Sequence, residues 1–359
     1  MLGTNSGYRL QVLSRDLAIE FSAPEPGPEV CLRMPLDAID ACAGRGDERV
    51  TFDVAGDDRV TIRWTDQGVP RRGEFSQPPQ NSDSFPASPE TYVTSNPDLW
   101  TALGNAVECT DDQASRYALA CLNLCGGTGK IEATDGRRAL VQTGYRFGWE
   151  ENFLVPGNKL LGYAEIAPSE GIEIGRTEDW VSLRFDRWLI QLRIQKEARF
   201  PNIEQVIPNP EFARSRLEIS PGDADFLRTT LSRMPCDDAV HRPITLDLNG
   251  QILVRSRELS SACPVEVDLR SSKLEGDPIT LNSDRRYLEH ALRLGFRRVV
   301  FHAPNSPALA VDERRQFLWA VLDKGSAIPW HENAQRIESP RAVVKLARPR
   351  RAVQVRLAA

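Results

Sequence analysis

Three segments of this chain echo one another at a spacing near 120 residues, and that periodicity limits the fold more than any other feature. MPLDAIDACAG starts at Met34, VPGNKLLGYAE at Val155 and LNSDRRYLEHAL at Leu281, 121 and 126 residues apart. Each joins an extended apolar residue and a turn-type residue to a short helix-like run. A second pair agrees: NPDLWTALGNAVE starts at Asn96 and SPGDADFLRTTLSRM at Ser220, 124 residues later. Both open with Asn or Ser before Pro and continue with apolar residues at helical spacing, a helix-start signature. A third marker, SFPASP with Phe85 against RFPNIEQVIP with Phe200, is offset by 115. Self-similarity at a fixed period reads as copies of one structural unit.

Between the helical segments, apolar and polar residues alternate over 58–64, 179–185, 187–194, 243–256 and 297–303, the pattern of half-buried strands. Asp186-Arg187 and Asn249-Gly250 mark hairpin turns. IEATDGRRALVQTGYRF, residues 131–147, reads as a further hairpin around Asp135-Gly136. Helix, strands, helix, strands over about 120 residues predicts an α+β class, with helices on one face of antiparallel sheets. In the two later repeats the second helical segment starts 59 and 61 residues after the first. Counting back as far from Met34 passes residue 1, so the first repeat is expected to be short of a strand and a helix.

A length of 359 residues implies two or three domains. No apolar run approaches the roughly 20 residues of a membrane span, and the first ten residues lack the basic and apolar blocks of a leader; a cytoplasmic location is the expectation. The seven cysteines show no paired CxxC spacing, and Cys121 and Cys125 have no His partner nearby. They read as buried free thiols. The four histidines form no HxxxH or HExxH pattern, so no metal or other cofactor is expected. Net charge is −5, but residues 331–359 hold seven basic and two acidic side chains, which leaves −10 on the rest. The basic tail reads either as a contact for nucleic acid or an acidic partner, or as a solvated terminus. Its segment KLARPRRAVQVRL (345–357) could also fold back as a strand on a free sheet edge.

SRYALACLNL (115–124), ATDGRRAL (133–140), FLVPGNKLL (153–161) and RFPNIEQVIP (199–208) follow in an order and spacing that resemble the bacterial DNA polymerase III beta subunit, the sliding clamp. The resemblance covers most of 7–324. It implies three tandem clamp-type modules at 1–88 (shortened), 89–211 and 212–324, followed by a basic extension at 325–359. It also implies antiparallel sheets outside and helices lining an inner face. The implied function is a head-to-tail homodimer, nucleoid-associated, that encircles duplex DNA without reading sequence. Such a ring tethers a DNA polymerase, a clamp loader or repair proteins through short peptides.

By motif, the resemblance places a peptide groove at Leu119, Thr134, Gly136, Arg137, Arg138, Ala139, Leu140 and Pro208, with Leu318, Trp319, Ala320, Val321 and Leu322 from the last clamp strand. The chain departs from the family where Ala139-Leu140 inverts the usual order and where Ala320-Val321 replaces a Met-Pro. Trp319 is large enough to narrow a pocket. Candidate phosphate-facing cations are Arg116, Lys159, Arg228, Arg233, Arg285, Arg286 and Arg293, which slide on a backbone without base readout. The same arginines also fit solvated helix faces. Two functional readings stay open: a DNA-encircling clamp, and a clamp-like interaction or regulatory protein that does not encircle DNA. An enzyme finds little support. Asp111-Asp112 and Asp237-Asp238 are merely adjacent, and no nucleophile triad or phosphate loop stands out.

Overall fold

The computed structural model describes residues 2–4, 7–25, 29–42, 49–55, 59–78, 84–113, 118–261 and 263–341. The chain divides into two compact units, one of 1–133 with 143–201 and the other of 134–142 with 202–359. Among the described residues there are four α-helices: α1 (Leu36–Cys42), α2 (Leu99–Val107), α3 (Pro221–Thr230) and α4 (Arg285–Arg293). Nearly all strand pairs are antiparallel, so the class is α+β as the repeat pattern implied.

In the first unit an eight-stranded sheet runs in the order Val30–Cys31, Leu2–Thr4, Gly7–Leu13, Leu17–Ala23, Trp188–Arg193, Trp180–Phe185, Ile172–Arg176 and Tyr92–Ser95. The N-terminal strands therefore share a sheet with strands almost 170 residues later in the chain. Leu17, Ile19 and Phe21 lie opposite Leu192, Ile190 and Trp188, and the Phe21 and Trp188 rings meet at 4.8 Å. Asp186 takes φ 47° at the expected turn. Strands Thr51–Ala55, Arg59–Asp66 and Val69–Ser76 form a separate sheet. Its Val60 and Ile62 pack with Leu32 and with Ala38 of α1.

Helix α2 buries Leu99, Trp100, Ala102, Leu103 and Ala106, one apolar face at helical spacing. Trp100 meets the Phe185 ring at 5.0 Å, tilted by 56°, and donates its indole N–H to the Tyr163 carbonyl at 3.1 Å. The helix-like segment expected after Val155 is not an α-helix. A strand, Asn152–Pro156, gives way to turns closed by Leu161 N–H to Asn158 O and Tyr163 N–H to Leu160 O, then to a single 3-10 turn, Ala164–Ile166. The reason is a long-range contact: Gly162 adopts φ +78°, and a Cβ there would lie 2.5 Å from the Gly104 Cα of α2. Close passage of two backbones takes precedence over the helical pattern. Lys159 consequently sits exposed in a loop.

In the second unit, strands Arg138–Gln142, Arg315–Trp319, Ala308–Val311, Arg298–Phe301, Ser215–Glu218 and Lys273–Gly276 lie side by side in that order. A second sheet runs Ile279–Asp284, Pro243–Leu248, Leu253–Ser256, Val265–Asp268 and Gln335–Glu338, its last pair parallel. That last strand comes from the tail at 335–338; the segment 345–357, for which a fold-back strand is one reading, lies outside the described residues. Helix α3 starts as expected, with Pro221 in its first turn and the Ser220 hydroxyl accepting from Asp223 N–H at 3.2 Å. Helix α4 is capped by Asp284, which accepts from Arg286 N–H at 2.9 Å. The core gathers Leu227, Leu231, Leu288, Phe296, Phe317 and Trp319, all essentially sealed from solvent. Three of the cysteines are buried, but Cys31 is exposed, against expectation.

Candidate functional site

The segment Thr134–Gln142 shows why its turn needs those residues. Gly136 takes φ +84°, which favours glycine. The Thr134 hydroxyl donates to the Arg138 carbonyl at 2.7 Å and accepts from Gly136 N–H at 3.0 Å. Asp135 Oδ1 accepts from both Arg137 N–H and Arg138 N–H at 2.9 Å, and its Oδ2 takes Arg138 Nε at 2.8 Å. One carboxylate thus satisfies two turn amides and fixes a guanidinium, an Asx-type turn with a charge-assisted anchor.

From there the strand pairs Arg138 with Trp319, Ala139 with Leu318 and Leu140 with Phe317. Ala320 N–H extends the ladder by donating to the Arg137 carbonyl at 2.8 Å. Arg138 reaches past the strand to helix α4. Its Nη1 lies 2.7 Å from His290 Nδ1, and its guanidinium sits 5.8 Å from the Tyr287 ring centre. Because arginine has no acceptor, His290 Nδ1 must be the bare nitrogen and the ring proton sits on Nε2. Burial, ahead of the nearby Asp135 and Asp284 carboxylates, holds the Tyr287 phenol above its ordinary pKa, while Arg138 and Arg137 pull the other way.

The expected groove residues therefore separate into layers. Thr134, Ala139, Leu140, Leu318 and Trp319 are buried. Trp319 is wholly enclosed, its indole N–H donating to the Ser283 hydroxyl at 3.0 Å. As groove-lining contacts, Trp319 and Leu140 are corrected by the structure: both have no exposed surface and sit in runs of consecutive buried residues. Arg138, Val321, Leu322 and Pro208 are half-buried, and Gly136, Arg137 and Ala320 are exposed. Leu322 N–H donates to the Asn282 carbonyl at 2.8 Å. Leu119 belongs to the first unit and is half-buried. Sequence reading missed Asp135, Tyr287 and His290 as the anchors of Arg138. The available signal was the three-residue spacing of Tyr287 and His290 on one helix, which puts both on one face.

The candidate phosphate-facing cations also divide. Arg285 is a correction: it is 2% exposed, so it cannot meet a phosphate. Its guanidinium donates to the carbonyls of Leu231 (3.1 Å), Pro235 (2.9 Å), Arg242 (3.2 Å) and Met234. The Leu231, Met234 and Pro235 carbonyls lie where α3 and its trailing 3-10 turn end, the usual place for a cation to stabilise a helix, and Arg242 belongs to the loop that leads into Pro243–Leu248. Burial lowers its pKa from the ordinary arginine value. Arg286 is held by Asp284, whose carboxylate raises its pKa. Arg228 lies 3.4 Å from Asp225. Arg228, Arg233, Arg293 and Lys159 are exposed, and Arg116 lies outside the described residues.

Taken together, these features define the class: an α+β protein with the sliding-clamp fold. The chain superimposes on a candidate DNA polymerase III beta subunit from Eubacterium rectale with TM-score 0.73 at 14% identity, over 90% of each chain. A DNA polymerase sliding clamp from Pseudomonas aeruginosa gives TM-score 0.70 at 16% identity over 90% of this chain and 91% of that one. The sliding clamp of the same organism bound to griselimycin gives 0.67 at 18% over 90% of each. No protein-family model matches the sequence, and no curated protein matches it. Likeness at such identity establishes the fold. No helix among the described residues is long and apolar enough to cross a membrane.

Proposed function

We propose that this chain works as a DNA sliding clamp of the polymerase III beta type. In this reading three modules, at 1–88, 89–211 and 212–324, build a head-to-tail homodimer around duplex DNA in the cytoplasm. The protein performs no chemistry of its own and holds on by topology. A DNA polymerase, clamp loader or repair protein docks by a short peptide on the hairpin Thr134–Leu140 and the end of the strand Arg315–Trp319. The exposed Arg137 and Ala320 form the lip of that site. Half-buried Val321, Leu322 and Pro208 supply apolar surface, the mix of apolar floor and polar rim that anchored peptides use.

The observation that carries the reading is the fold likeness over nine-tenths of both chains, at TM-score 0.73. Fold alone does not fix function, so the decisive experiment is topological. A ring is retained on nicked circular DNA and lost when the circle is cut. Release on linearisation supports the proposal; retention that survives cutting, or no retention, refutes encirclement.

A second reading, a clamp-like interaction protein that does not encircle DNA, draws on the cations. Arg285 is enclosed and Arg286 is tied to Asp284, which thins the positive surface open to phosphate. The same experiment separates the two readings.

A further inference from the structure

The tail strand Gln335–Glu338 is attached in an unusual way. It pairs parallel to Val265–Asp268, with Gln335 N–H donating to Pro264 O at 3.0 Å and Ser339 N–H to Asp268 O at 2.9 Å. All four of its side chains are exposed, the one apolar residue, Ile337, at 37%. Its specificity is polar. Arg336 lies 3.1 Å from Glu266, and Glu338 pairs with Arg270. The Ser339 hydroxyl donates to Asp223 at 2.5 Å and accepts from Arg270 N–H at 3.0 Å.

The receiving edge is organised independently of the strand. Glu266 is 1% exposed and already holds Arg255 at 2.6 Å; Arg255 in turn pairs with Asp247. Asp223 is fully buried and already accepts from Ser271 N–H at 3.0 Å and the Ser272 hydroxyl at 2.5 Å. Two buried carboxylates, Glu266 held by Arg255 and Asp223 of α3 held by Ser271 and Ser272, therefore meet the strand where it arrives. Between residues 320 and 334 the chain crosses this sheet. Ile328 N–H donates to the Thr245 hydroxyl at 2.8 Å, and Asn282 Nδ2 donates to Asp323 O at 2.9 Å.

We infer that the edge Val265–Asp268 is a strand-acceptor site closed by the chain's own Gln335–Ser339, and that its ligand when opened is the same segment of a second copy. The site recognises an extended peptide with a basic residue opposite Glu266, an acidic one near Arg270 and a hydroxyl reaching Asp223. A second copy carries that pattern by definition. Strand addition of this kind takes affinity from main-chain bonds and specificity from alternate side chains. In cis the short connection gives the tail an effective concentration on the order of millimolar, so the closed form dominates. An uncovered edge would otherwise be a template for uncontrolled pairing. This inference does not depend on the clamp reading.

The test uses the full chain and a fluorescent synthetic peptide of residues 333–341 as the probe. Ile337→Pro removes an amide midway between the two strand donors and opens the edge. A second variant, Arg336→Glu with Glu338→Arg, opens it without proline. The expected result is peptide binding at least tenfold tighter to either opened variant than to the unaltered chain. A peptide carrying the same charge reversal should bind the opened variants at least tenfold more weakly than the unaltered peptide. Equal binding to opened and unaltered chains overturns the inference. So does absence of binding to an opened variant that keeps the thermal transition of the unaltered chain.

Discussion

Replacing Arg285 tests whether this arginine works as a structural cation. Four carbonyl oxygens surround its guanidinium, from Leu231, Met234, Pro235 and Arg242. A hydrogen bond to a charged group contributes about 1.5–3 kcal/mol, so four would sum to roughly 6–12 kcal/mol. Taking the cation out of water costs several kcal/mol in return. Arg285→Ala removes the cation and its side-chain bonds together; the Arg242 and Leu231 carbonyls keep backbone donors, and those of Met234 and Pro235 lose this one. The expected net loss is about 3–5 kcal/mol, from the lost charge-assisted bonds and the acceptors left unsatisfied, less the desolvation cost that goes with the cation. For a unit of this size that lowers its Tm by roughly 10 °C. Calorimetry and urea unfolding give the stability. DNA retention measured well below the transition should match the unaltered chain, whereas Arg293→Glu, on an exposed position, should weaken it under the clamp reading. A variant that keeps its stability within about 1 kcal/mol but loses DNA retention would refute the reasoning, because Arg285 would then have to face phosphate.

Gly162→Ala should destabilise the first unit by more than about 2 kcal/mol, since it combines φ +78° with a Cβ 2.5 Å from the Gly104 Cα. Gly171→Ala, where a Cβ meets nothing within 4 Å, should stay within about 0.5 kcal/mol by the same urea assay. Burial, helped by Asp16, pushes the Cys121 thiol up from 9.0 to about 11. Below pH 9 the folded and unfolded thiols are both protonated, and this group adds no pH dependence. Above it the unfolded chain loses its proton first, so stability falls as pH rises towards the folded value, by at most roughly 2.7 kcal/mol for two units. Urea midpoints at pH 8.5 and 10.5 should therefore converge in Cys121→Ala relative to the unaltered chain; an unchanged difference would refute the assignment.

Much of the secondary structure was legible in the sequence because its signals are local. Ser220-Pro221 announced α3 by satisfying open amides and presetting φ, and Asp186 and Asn249-Gly250 announced their turns by conformations that few residues accept. The α+β class followed from the two periods alternating at a 120-residue repeat. Three outcomes needed the folded chain. The segment after Val155 carries a helical pattern, yet its path is set by two glycine backbones, Gly104 and Gly162, that meet only when α2 packs. Arg285 reads as one more surface cation until the end of α3 surrounds it with carbonyls from residues up to 54 positions away. The tie between Arg138 and His290 spans 152 residues, and no spacing rule reaches that far. Local sequence fixes which backbone conformations are cheap; which charges are buried, and against what, depends on long-range contacts made only by folding.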